Sequence, residues 1–166
     1  NKLGQKVQEC HIIKNTQIEL LYRPFELLNS VFELASSDST SNEIEMSSSL
    51  FEKFVPNIEK ALKLIKENCT EHFNLIEKHC KRIILFKTNP KNTNSFATIN
   101  AHGMAFLNAY QEDYDEVFFI DDIAHQTGHI IMTAILFERK KYFLIDENEN
   151  IKKITQNETE YRSFYI

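Results

Sequence analysis

The stretch Ile120-Asp121-Asp122-Ile123-Ala124-His125-Gln126-Thr127-Gly128-His129-Ile130-Ile131-Met132-Thr133-Ala134-Ile135-Leu136-Phe137 is the most apolar part of the chain. Its length and composition predict a helix, with Asp121 or Asp122 as the N-cap. Because it is apolar nearly all round, the helix is expected to be buried on several sides. His125 and His129 are four residues apart, so a helix stacks them one turn apart on one face. Two imidazoles placed that way reach a single metal ion. Gly128 lies between them. A helix-interior Gly costs about 1 kcal/mol against Ala, which points to a packing or access requirement there.

Immediately upstream, the chain reads as short strands. Arg82 to Lys87 is rich in β-branched and aromatic residues and predicts a strand. Thr88 to Asn94 is a turn-forming loop, Ser95 to Ile99 a second strand, and His102-Gly103 a turn into a third at Met104–Leu107. Val117 to Ile120 is either a strand or the lead-in to the histidine helix. Further upstream, a helix is expected over 57–82 after Pro56, with Ile58, Leu62, Ile65, Cys69, Phe73, Ile76 and Cys80 on one stripe. Residues 2–22 and 25–35 carry helix-like apolar spacing. Between these helices, 36–49 is a serine-rich loop. Downstream of the motif, Tyr142–Ile145 and Ile151–Ile154 suggest a hairpin around residues 146–150. The expected fold is α+β, mostly helical: N-terminal helices, a small, mainly antiparallel sheet and a buried histidine helix, in one domain spanning 1–166. The apolar pattern runs up to Ile166, so the natural chain is expected to continue past it.

Composition narrows the function. The 166 residues carry a formal charge of −5, which gives no basic footprint for nucleic acid and no polybasic membrane patch. No apolar run reaches the roughly 20 residues that span a bilayer. Three widely spaced cysteines, Cys10, Cys69 and Cys80, with no secretory signal at the start, predict a reducing, cytoplasmic setting. Cys69, His72, His79 and Cys80 bring together metal-friendly residue types, yet the two cysteines are about three turns apart, roughly 16 Å along a helix. They are read as core packing, where a free Cys behaves as a small hydrophobe.

The chemistry therefore turns on His125 and His129. In the familiar His-Glu-x-x-His motif the Glu is the general base of a zinc peptidase. Here that position is Gln126, which can give and accept hydrogen bonds but cannot ionise. Hydrolysis by the usual route is disfavoured; two histidines with one further ligand and open positions is the arrangement of non-heme iron oxygenases. For the third ligand, Glu149, Glu158 and Glu160 are options, as is a residue past Ile166. His102 is read as a surface turn histidine.

In its order of elements the chain resembles the HExxH-type, Fe(II)- and 2-oxoglutarate-dependent peptide β-hydroxylases of bacterial peptide-modification clusters. The resemblance covers about the C-terminal two-thirds. It is carried by Phe96-Ala97-Thr98, Gly103-Met104-Ala105-Phe106-Leu107, the run Phe119 to His129, and Tyr161-Arg162-Ser163-Phe164-Tyr165-Ile166. It implies that His125 and His129 ligate iron, with a third histidine following Ile166. It also implies that 2-oxoglutarate is the cosubstrate and a ribosomally made precursor peptide the partner. Arg162, with its bidentate fork, is a candidate for the distal carboxylate of 2-oxoglutarate. Gln126 departs from the family's Glu and is left an orienting role. The alternatives are a zinc hydrolase of the zincin type and a non-catalytic relative that binds a peptide or protein partner.

Overall fold

The computed structural model describes residues 10–24, 26–35 and 43–142. The fold is α+β and mostly helical. It comprises β1 (His11–Ile12), β2 (Glu19–Leu21), α1 (Glu26–Ala35), α2 (Ser48–Asn68), α3 (Thr70–His79), β3 (Arg82–Phe86), β4 (Phe96–Ala97), β5 (Met104–Asn108) and α4 (Glu116–Ile135). A 3₁₀ turn follows β4 at Ile99–Ala101, and a 3₁₀ segment kinked at Glu138 follows α4 at Leu136–Lys141.

The sheet is mixed, in the order β1-β2-β3-β5-β4, and its centre is parallel rather than antiparallel. β2 runs parallel to β3, and β3 parallel to β5 with Arg82 opposite Met104 and Phe86 opposite Asn108. Of the described strands, the edge strands β1 and β4 pair antiparallel. The physical reason is visible in β3, where Ile83, Ile84, Leu85 and Phe86 are all fully buried. An unbroken apolar strand needs cover on both faces, which is the situation of parallel sheets. Ile83 and Leu85 join the core formed with α2, α3 and α4. Ile84 and Phe86 point the other way and pack with Leu28 and Phe32 of α1. The described residues thus form a sheet between one short helix and a layer of three.

Several expected elements change when packing is added. Residues 11–21, expected as helix, form β1 and β2. Their apolar positions Ile13, Ile18 and Leu20 are fully buried, and a cross-strand pair, Arg82 Nε to Glu19 Oε2 at 2.6 Å, fastens β2 to β3. The single helix expected over 57–82 is two. α2 begins at Ser48, where Ser47 Oγ accepts from the Leu50 N–H at 3.2 Å, a cap lying inside the serine-rich segment. Pro56 lies within α2 rather than ahead of it. The helix breaks at Cys69, whose φ of −148° is non-helical, so Cys69 is exposed instead of in the core stripe while Cys80 is buried. The break turns α3 so that Phe73 and Ile76 still face the core.

Part of the serine-rich segment is fixed too. Glu45 bridges Lys87 through both backbone bonds at 2.9 Å, and Ile44 and Met46 cover the α1 side of the sheet. The Gly103 turn ties β3 to β5, its carbonyl accepting from the N–H groups of Lys81 (2.8 Å) and Arg82 (3.2 Å). Gly103 has φ of +84°, and a Cβ would meet the His79 carbonyl oxygen at 3.3 Å, so a side chain there is disfavoured twice. Among the described residues, no helix is long and apolar enough to cross a membrane. The hairpin expected around 146–150 and residues 36–42 of the serine-rich loop lie outside the described residues.

Candidate metal site

Helix α4 starts at Glu116, ahead of both aspartates, Asp121 and Asp122, that were expected to cap it. Asp115 is the cap, its carboxylate accepting from the N–H groups of Val117 (3.0 Å) and Phe118 (3.1 Å). Val117 to Ile120 therefore belongs to the helix. From that start, Phe119, Asp122, Ile123, Gln126, Thr127 and Ile130 fall on one buried face, against α2, α3 and the sheet. Asp121, His125, His129 and Met132 fall on the opposite, exposed line.

The histidine helix is thus half-buried, and its histidines are on the outside. The expectation of buried imidazoles fails because α4 is covered from one side only among the described residues. The two rings nonetheless face each other closely. His125 Nε2 and His129 Nε2 stand 3.1 Å apart, with ring centroids separated by 4.8 Å and planes inclined at 67°. For metal–nitrogen bonds of about 2.0–2.1 Å, that separation subtends roughly 95–100° at a shared ion, between the octahedral and tetrahedral angles. Without a metal the same spacing is a hydrogen bond in which one ring donates Nε2–H and the other accepts. Among the described residues, no group of three His, Cys, Asp or Glu side chains could hold a metal ion. His102 is exposed, after the turn that follows β4. At the end of α3, burial and then the neighbouring positive charge of Lys78 hold the His79 imidazole below its usual range.

Gln126 sits on the other side of α4 from the histidines. Its side chain is buried and Nε2 donates to Asp122 Oδ1 at 3.3 Å, one turn back. Asp122 Oδ2 accepts from Ser95 Oγ at 2.7 Å, and Ser95 Oγ accepts from the Asn108 N–H at 2.9 Å. Asn108, fully buried at the end of β5, completes the chain. Its Oδ1 accepts from the Thr88 N–H (3.0 Å), while its Nδ2 donates to the carbonyls of Thr88 (3.1 Å) and Thr93 (2.9 Å). A continuous polar network therefore runs from the 88–94 loop, past the C-terminal end of β5, to the inner face of α4. Burial pushes the Asp122 carboxyl above the usual carboxylate range, opposed by its hydrogen bonds from Ser95 and Gln126 and by the nearby His125. Sequence reading passed over Asn108 and Ser95. The available signal was a lone amide closing the apolar run Met104–Leu107, where a buried polar group requires partners.

Arg162, Glu149, Glu158 and Glu160 lie outside the described residues. Comparison of this chain with protein-family models, with curated proteins and with solved structures found no match.

Proposed function

We propose that His125 and His129 are two ligands of a mononuclear iron(II) site, and that the protein is a 2-oxoglutarate-dependent oxygenase hydroxylating a side-chain β-carbon of a ribosomally made precursor peptide. The observation that supports the site is the 3.1 Å between the two Nε2 atoms, on rings that solvent and a metal ion can both reach. The peptide substrate and the cosubstrate follow from the sequence resemblance. Iron bound with 2-oxoglutarate and dioxygen supplies oxidising power for an unactivated C–H bond, which no side chain of the chain provides.

The chain's own residues hold and orient. His125 and His129 would supply two imidazole nitrogens from one face of α4. Behind them the Gln126–Asp122–Ser95–Asn108 network fixes α4 on the sheet, so the histidines are presented by a supported element rather than a loop. The remaining ligand must come from outside the described residues. A zincin-type hydrolase finds less support: the position that would carry its base is a Gln that cannot ionise, turned away from the histidine face.

Metal analysis of the full chain, purified without oxygen, tests the reading. One iron per chain and succinate formed from 2-oxoglutarate are expected. His125→Ala and His129→Ala should each abolish stoichiometric iron binding; retention in both overturns the assignment. Tight zinc with peptidase activity would favour the hydrolase, and no metal at all the non-catalytic relative.

A further inference from the structure

His125 and His129 present two nitrogens 3.1 Å apart, and among the described residues no His, Cys, Asp or Glu joins them as a third ligand. A thioether is also a metal ligand, and one stands on their line. Met132 follows His129 by three residues on α4 and is 48% exposed. At about 100° per residue, His129 and Met132 lie within about 40° of His125 around the helix axis, one on each side of it. The three side chains therefore share one face of the helix.

Helix geometry directs the Met132 thioether toward the pair. A helical Met turns its side chain back toward the N-terminus, over the residues three and four positions earlier. Those residues are His129 and Gly128. Above Gly128 the space is open: a Cβ built there meets nothing within 4 Å. Gly costs a helix interior about 1 kcal/mol against Ala, and its bare position here leaves the path of the thioether clear. The unbranched Met side chain adapts to such a gap, and a long, weak bond is enough, as in copper centres with an axial Met.

We infer that His125, His129 and Met132 form a three-donor site that takes copper(I). The inference rests on the reading of the two histidines as metal ligands, and not on the oxygenase chemistry. Imidazole suits iron, zinc and copper alike, whereas the soft thioether selects copper(I) and adds little for iron(II) or zinc(II). Copper(I) bound there occupies the pair that iron(II) needs and so excludes it.

The test is anaerobic titration of the full chain with copper(I) against the chromophoric chelator bicinchoninate, with zinc(II) titrated in parallel. The exposed thiols are first removed by Cys10→Ser and Cys69→Ser, so that thiolates do not compete; Cys80 is buried. One copper(I) per chain is expected, with a single sulfur neighbour in its X-ray absorption spectrum. Met132→Leu should weaken copper(I) binding by about tenfold or more and remove the sulfur neighbour, while zinc(II) affinity stays within about threefold, because only the soft ion uses the thioether. His125→Ala should weaken both metals. Unchanged copper(I) affinity in Met132→Leu, a sulfur neighbour that persists in it, or an equal loss of both metals would overturn the inference. Zinc(II) held through His125 in those cases leaves the two histidines standing as ligands. Undiminished binding of both metals in His125→Ala overturns that reading, and this inference with it.

Discussion

Asn108→Asp changes one atom of a fully buried side chain and asks whether the polar network behind α4 is as rigid as its geometry. The carboxyl can keep Oδ1 as acceptor for the Thr88 N–H. In place of Nδ2, however, an oxygen would face the carbonyl oxygens of Thr88 and Thr93, at the 3.1 and 2.9 Å now spanned by donated bonds. An ionised carboxylate there meets two acceptors with no donor, so the folded state must retain a proton. Keeping protonated a group of unfolded pKa about 3.9 costs about 4 kcal/mol at pH 7 and about 1.5 kcal/mol at pH 5. One O–H replaces two N–H donors, and the lost bond adds about 1 kcal/mol. The sign follows from the raised folded pKa: the variant's stability is fully present below the unfolded value and is lost as pH rises. Urea unfolding of parent and variant should give a stability difference of about 2.5 kcal/mol at pH 5 and about 5 kcal/mol at pH 7, with similar slopes. Equal differences at the two pH values would refute the reasoning, because they would mean that water or a loop shift rescues the ionised group.

Gln126→Glu sets a second buried carboxyl against Asp122 across the present 3.3 Å contact. It is expected to destabilise the fold at neutral pH by about 2 kcal/mol or more, shown by a lower urea midpoint, and to create no peptidase activity in a fluorogenic peptide assay. Cys80 is buried and its thiol is pushed up to about 12 by desolvation. A thiol reagent should therefore modify the exposed Cys10 and Cys69 in native protein and reach Cys80 only on unfolding; rapid native labelling of all three would contradict the packing. Glu112, on the surface, is held down to about 2 by hydrogen bonds and charge from Lys53 and Lys87. Its share of stability is present above the ordinary carboxylate pKa and is lost as pH falls from 4.5 toward 2. An NMR titration of its side-chain carboxyl should show the low midpoint, rising toward 4.5 in high salt.

Much of the architecture was legible because it rests on local periodicity. α1, β3 and β5 appear where apolar spacing places them, and the histidine helix appears with an earlier start. What was misread is informative. The 11–21 segment has helix-like spacing, but short apolar runs carry strand and helix periods almost equally well, and pairing with β3 decides between them. The stripe through Cys69 is continuous in sequence, yet a break at that residue redirects the chain without disturbing the pattern on either side. The caps Ser47 and Asp115 were hidden for opposite reasons, one within a serine-rich run and the other ahead of a segment that resembled a strand.

For the site, the sequence determined that two histidines share a helix face and that Gln126 cannot act as a base, because both depend only on helical spacing and side-chain chemistry. Which face looks inward was a tertiary decision. α4 needed to bury Phe119, Ile123 and Ile130 against α2, α3 and the sheet, and that rotation turned Asp122 and Gln126 into the core. His125 and His129 were thereby left on the outside, their nitrogens 3.1 Å apart. A helix apolar on nearly every side does not record which of its sides the rest of the fold will cover.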